Sequence, residues 1–291
     1  MIAFASFAGF AGCLTSARHA AAVLGGSAHA LAEGAAAPPC DVLVLSSWHP
    51  TYEAVPDDGP RIIARWHSPL LQTELSDDGW KLERLLELKA SRRVHALAFN
   101  DAGAARALGG VHLPDVLAPA PAVAPRALEG VNVTFLGEPY PRKNVMTQVA
   151  AFAQAAGPDW TLHLAGRRAE RHGGWLDRLG VRWTDHGHLA HHDVLALIAG
   201  CDAGLSATLS ESYGYLAAEH LQLGVPVVTS PAVRCADTGE LQVADPGDVD
   251  GVATALRRAI GADIADARAS LRERAAANEA IARAALAELA S

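Results

Sequence analysis

Two carboxylates, Glu211 and Glu219, stand eight positions apart with Gly214 between them. The residues around them divide into an apolar run (Ala203 to Leu209), a polar break (Ser210 to Gly214), a helical run (Tyr215 to Leu223), Gly224 as a stop and a β-rich run (Val225 to Thr229). That is strand, tight loop, helix, glycine cap, strand. At such a helix start the backbone N–H groups of Ser212, Tyr213, Gly214 and Tyr215 have no intrahelical acceptor, and the helix dipole favours negative charge, so a phosphate fits there. Gly214 lets the backbone come close. Carboxylates beside a phosphate are repelled unless they bind something else, and sugar and ribose hydroxyls are the natural partners for Glu211, just before the helix, and Glu219, about one turn inside it.

The cations come from an earlier loop. Val131 to Leu136 reads as a strand and Val145 to Ala156 as a helix, and between them lies Gly137-Glu138-Pro139-Tyr140-Pro141-Arg142-Lys143-Asn144. A cation after a strand and before a helix reaches a phosphate at the carboxyl edge of a sheet, which nominates Lys143 and Arg142.

The Glu-x7-Glu spacing, embedded in Ser-Glu-Ser-Tyr-Gly-Tyr and followed by Gly-Val-Pro-Val-Val, resembles the donor-site signature of family 4 (GT-B) retaining glycosyltransferases. The resemblance covers residues 131–260 closely and residues 1–125 loosely. It implies an α/β chain of two Rossmann-like domains facing across a cleft, with a C-terminal helix returning to the first domain. The implied limits are 1–127 for a short acceptor-side domain, 128–266 for the donor-binding domain and 267–291 for the returning helix. The implied activity is transfer of a sugar from a nucleoside-diphosphate sugar to an acceptor hydroxyl with retention of configuration. That donor is a substrate; no cofactor and no bound metal are expected. By the same resemblance Glu211 contacts the donor sugar, Lys143 the diphosphate and Glu219 the ribose, with backbone from Ser212 to Tyr215 at the phosphates and the nucleobase near Gly166 and His188. His67, just past a strand end, corresponds to a histidine that points at the donor, and the first loop, with Gly9 and Gly12, sits over the donor phosphates. One departure is Glu138, where an arginine usually follows the loop glycine; either Arg142 supplies the second positive charge or one contact is lost. Rival readings are a non-catalytic nucleotide-binding module and a nucleotide-sugar epimerase of the same architecture.

Composition bounds these readings. The chain has 291 residues, half of them apolar, enough for two domains with sizeable cores. Net charge is −8, and residues 1–125 carry nine Lys/Arg against twelve Asp/Glu, so no nucleic-acid footprint is visible. Four scattered cysteines without a Cys-x-x-Cys pair fit reduced thiols in the cytoplasm. Met1 to Leu14 lacks a basic start and breaks at Gly9 and Gly12, and no apolar run reaches membrane-spanning length.

The remaining elements follow in order. Ile2 to Phe7 is a strand running into a glycine turn at residues 8–12, then a helix from Leu14 to Leu24; the glycines do not form Gly-x-Gly-x-x-Gly. Asp41 to Ser46 and Arg61 to Arg65 are strands ending in Trp48-His49 and Trp66-His67. Asp78 to Ser91 is an amphipathic helix with Leu82, Leu85, Leu86 and Leu88 inward. Val94 to Phe99 is a strand, and a proline-rich run from Leu113 to Pro125 reads as the linker. In the second half, Trp160 to Leu164, Val181 to Thr184 and Leu241 to Ala244 are strands, and Asp193 to Ala199, Asp248 to Ile260 and Ile264 to Leu289 are helices. His186, His188, His191 and His192 cluster in sequence without the converging geometry a metal requires, and His220 reads as a packed or solvated histidine.

Overall fold

The computed structural model describes all residues except 8–10, 33–34, 47–51, 53–54, 56–57, 139, 167–172 and 291. It divides into two compact units, one formed by residues 1–118 with 275–291 and the other by residues 119–274.

The first unit is built on a six-stranded sheet in the order β2-β1-β3-β4-β5-β6, with β1 Ile2–Phe7, β2 Ser27–Leu31, β3 Val42–Ser46, β4 Arg61–Trp66, β5 Ala96–Phe99 and β6 Val111–His112. Every pairing is parallel, so both faces must be covered, and the strands read as continuous apolar runs. Alternate residues divide between the faces. Leu43, Leu45, Ile62 and Leu97 join Leu82, Leu85 and Leu88 of the helix Gly79–Ala90. Phe4, Val42, Val44 and Ile63 join Ala17 and Ala20 of the helix Ala11–Leu24 and Ala282, Ala285, Leu286 and Leu289 of the terminal helix Ala265–Ala290.

The second unit holds a five-stranded parallel sheet in the order β11-β10-β7-β8-β9, with β7 Val131–Leu136, β8 Trp160–Ala165, β9 Arg182–Asp185, β10 Ala203–Ser206 and β11 Val227–Thr229. The chain winds one way from β7 to β9 and the other way through β10 and β11. The switch point therefore lies between the neighbours β7 and β10, and crevices at the carboxyl ends of such strands are where open α/β sheets bind ligands.

Several expectations are corrected. The first helix begins at Ala11, so Gly12 lies in its first turn rather than in a connecting turn. Two strands were not anticipated: Ser27–Leu31, where β2 follows a glycine pair, and the two-residue β6. Leu241 to Ala244 does not form a strand; a 3-10 turn, Gly239–Leu241, precedes a single bridge from Gln242 to Thr229. A helix at Gly173–Arg178 was also missed. Leu86 packs against the core only partly buried, at the margin of its helix's apolar stripe. Gly9, Trp48 and His49 lie outside the described residues.

Candidate functional site

The loops after β7 and β10 meet at the switch point, and a set of hydrogen bonds ties them together. Pro141 opens a 3-10 turn, Pro141–Lys143, and Asn144 ends it in the left-handed region (φ 55°) before the helix Val145–Ala155 begins. Asn144 Nδ2 donates to the Ala207 carbonyl (3.2 Å), and the Leu209 N–H donates to the Arg142 carbonyl (2.8 Å). Gln148 bridges both loops: its Nε2 donates to the Lys143 carbonyl (2.7 Å) and its Oε1 accepts from the Ala207 N–H (2.8 Å). Gln148 is fully buried, and its backbone clamp escaped the sequence reading. A polar residue on an otherwise apolar helix face, among Val145, Val149 and Phe152, was the available clue.

This clamp brings the predicted cations to the first carboxylate. Lys143 Nζ forms an ion pair with Glu211 Oε2, and Arg142 Nη1 lies 3.5 Å from both Glu211 oxygens and 3.4 Å from the Ser210 carbonyl. Burial alone would raise the Glu211 carboxyl, but the Lys143 and Arg142 charges, helped by the Ser212 N–H, bring it below its ordinary value. Burial lowers the Lys143 ammonium, with Glu211 opposing and Arg142 assisting. The Ser212 N–H, expected to face a phosphate, is donated to Glu211 Oε1 at 3.1 Å. A small cavity of about 10 Å³, room for one water, is lined by Lys143, Ser206, Thr208, Leu216 and His220. The Thr208 hydroxyl is buried there without a protein partner among the described residues.

The helix after this loop spans Tyr215–Leu223, as read from the sequence, and ends on Gly224 in the left-handed region (φ 83°). Gly214 caps its start at φ 97°, and a Cβ there would lie 2.8 Å from the Val233 side chain. Glycine is thus required by backbone conformation and by packing at once. Tyr213 is buried, its ring 4.9 Å from that of Tyr215. Glu219 is buried on this helix and accepts a hydrogen bond from His191 Nε2 (2.7 Å). The two glutamates therefore have separate partners, Glu211 the cations and Glu219 a histidine. His220 is packed in the core: Nδ1 donates to the Leu216 carbonyl (2.6 Å), Nε2 meets Thr134 Oγ1 (2.6 Å), and burial pushes it down to about 4.

On the other side of β7, Gly166 ends β8 at φ 152°, its N–H donated to the Gly187 carbonyl (2.9 Å), and a Cβ would meet the Gly137 carbonyl at 2.5 Å. His188 is exposed on the turn after β9. Arg126, His186, His163 and Asn132 form a chain of contacts of 3.3, 2.9 and 2.9 Å in that order, which burial and the neutral imidazoles favour; His163 is pushed down to about 4.

His67 belongs to a polar cluster inside the first unit. Its Nε2 meets Ser46 Oγ (2.9 Å) and its Nδ1 lies 3.4 Å from Asp115 Oδ1, so both ring nitrogens are engaged internally. Arg65 Nη2 also binds Asp115 Oδ1 (3.1 Å), and Ser16 donates to the same oxygen. Burial lowers the His67 imidazole. It would raise the Asp115 carboxyl, but Arg65 and His67 hold that group well below the usual carboxylate range. Among the described residues no group of three or more metal-ligating side chains converges.

Residues 130–262 match the family model described as Glycosyl transferases group 1. Among solved structures the chain is similar to an α,α-trehalose-phosphate synthase (UDP-forming) from Burkholderia xenovorans, at 17% identity and TM-score 0.63 over 86% of this chain and 74% of that one. It is similar to sucrose-phosphate synthase from Thermosynechococcus elongatus (20% identity, TM-score 0.58, 86% and 71% of the two chains). It is also similar to HepE of Anabaena, solved with UDP and glucose (16%, 0.59, 85% and 77%). No curated protein matches the chain.

Proposed function

We propose, from the GT-B fold and the match of residues 130–262 to the group 1 glycosyltransferase model, that the chain transfers a sugar from a nucleoside-diphosphate sugar to an acceptor hydroxyl with retention of configuration. The observation that carries this reading is the convergence of Lys143, Arg142 and Glu211 at the switch point of the second unit's sheet, beside the N-terminus of the helix Tyr215–Leu223.

In this reading the donor diphosphate takes Glu211's place on the two cations. Lys143 and Arg142, with the helix N-terminus, stabilise the charge that develops on the leaving phosphate as the glycosidic bond breaks. Glu211, released from them, accepts hydrogen bonds from the sugar's hydroxyls, and Glu219 holds the ribose. The departing phosphate oxygen takes the acceptor proton on the same face, so no separate base and no metal are required. The acceptor is a small molecule or glycan, and the four free thiols agree with a cytoplasmic setting. No helix among the described residues is long and apolar enough to cross a membrane.

The UDP-forming synthase and the UDP- and glucose-bound HepE put UDP-sugars first among donors to test. Calorimetry with UDP, GDP, ADP, CDP and dTDP should show one clear binder, and Lys143→Ala should weaken it roughly tenfold or more. Unchanged affinity in that variant rejects the phosphate role. A binding-only module is the second reading, favoured by Glu138 in the loop that supplies the cations. It predicts nucleotide binding with neither donor hydrolysis nor transfer.

A further inference from the structure

We infer that His191 is a positioning residue that sets how the donor's ribose is read, an inference that rests on the donor-site reading above. Glu219 is 3% exposed, and a carboxylate taken that far from water needs hydrogen-bond donors. Among the described residues it has one, His191 Nε2, at 2.7 Å from Oε1. The neighbouring His220 does not serve it, since both of its nitrogens are committed to Leu216 and Thr134. The second carboxylate oxygen, Oε2, is thus left as an acceptor for a hydroxyl from outside the protein.

The donor reaches Glu219 from another element. His191 opens the helix His191–Ala199, which packs against the helix Tyr215–Leu223, and its side chain is 46% exposed while the carboxylate it touches is covered. One oxygen tethered from a second helix fixes the plane of the carboxylate, and a fixed carboxylate aligns its other oxygen on one hydroxyl rather than sweeping over several. The ligand chemistry this selects is the vicinal diol of a ribonucleotide. A 2′-deoxynucleotide leaves that oxygen without a protein or ligand donor, and sites built to bind a hydroxyl reject analogues lacking it.

The test compares UDP, GDP and ADP with their 2′-deoxy counterparts by calorimetry. The unsubstituted protein should favour the ribonucleotide by roughly tenfold or more. In His191→Ala that ratio should fall to within about twofold, through loss of ribonucleotide affinity with the deoxynucleotide nearly unchanged. His191→Gln, which keeps an N–H donor, should restore most of the ratio, and in turnover the alanine variant's loss should fall on donor KM rather than on kcat. A full ratio in His191→Ala, or an equal loss for both nucleotides, overturns the inference while leaving the donor site in place. If the unmodified protein binds no nucleoside diphosphate, the donor-site reading itself fails and takes this inference with it.

Discussion

Two carboxylates in this molecule are each held by a pair of basic side chains, and they differ in how closed that hold is. Asp115 in the first unit is gripped by Arg65 and His67 and takes a further bond from Ser16, with side chains 1–7% exposed. Glu211 in the second unit is gripped by Lys143 and Arg142, with side chains 12–17% exposed, on loops at the switch point. The first cluster is closed by additional protein partners: Asn100 accepts from the Asp115 N–H (2.6 Å) and Asn278 donates to its carbonyl (2.9 Å). The second keeps a share of solvent in which another anion can compete. A buried ion cluster is costly to break because the remaining charge cannot be rehydrated, whereas a partly open one can exchange partners. Asp115→Ala should therefore cost roughly 3–5 kcal/mol of stability in denaturant unfolding. Nucleoside-diphosphate affinity of the folded fraction should be unchanged, and a loss below about 1 kcal/mol would make the two clusters alike.

Glu211→Gln is the matching break on the other side. It keeps the side chain's shape and removes the charge that occupies the cations. If Glu211 holds the donor sugar as proposed, transfer should fall by about a hundredfold or more, because the sugar loses a charged acceptor. Nucleoside-diphosphate affinity should hold or rise, since the diphosphate no longer competes with a carboxylate for Lys143 and Arg142. Activity and calorimetry on one preparation measure both. Weakened nucleotide binding would show that Glu211 organises the phosphate site instead of filling it.

Acid separates the two units further. His163 and His220, both in the second unit, are pushed down to about 4 from an ordinary 6.5, chiefly by burial. A histidine lowered in the folded state binds its proton more readily when unfolded, so its stabilisation is complete above pH 6.5 and is lost as pH falls from 6.5 towards 4. Going from pH 7 to pH 5 should cost about 2 kcal/mol for His220, with a smaller contribution from His163. The carboxylates Glu211 and Asp115 are also lowered, but their contributions are lost at still lower pH, below the ordinary carboxylate values. Hydrogen exchange at pH 7 and pH 5 should show the second unit's sheet losing protection, and His220→Asn should flatten part of that dependence.

The difference between the units also explains what could be read in advance. The second unit's site lies on loops between a strand of continuous apolar residues and a helix of clear period, and glycines mark its turns, so Tyr215–Leu223 and β7 matched their readings residue for residue. Arg142 and Lys143 could be nominated because a cation between a strand and a helix reaches the carboxyl edge of a sheet, and Glu211 because it stands just before a helix start. What brings them together is strand order, and order is set by packing that no local pattern reports. Arg65 lies inside a strand and Asp115 in a proline-rich run, and nothing local says that they meet. His191 was one of four histidines in a row of turns until two helices packed and gave it Glu219. The five-residue β2 and two-residue β6 escaped because short strands carry too few residues to show a period.

Gln148 gives the smallest and most local test of the same contrast. It contributes no charge, yet its amide satisfies one backbone group from each of the two loops, the Lys143 carbonyl and the Ala207 N–H. Gln148→Leu preserves volume on the buried face of the helix Val145–Ala155 and leaves both groups without that partner. The cost should be about 1–3 kcal/mol of stability. If the clamp sets the spacing of Lys143 and Glu211, donor affinity should also fall severalfold, although Gln148 touches neither charge. A stability loss with unchanged affinity would place the clamp with Asp115, as part of the scaffold; a loss in both would show that the open cluster owes its geometry to a buried neutral residue one helical turn behind it.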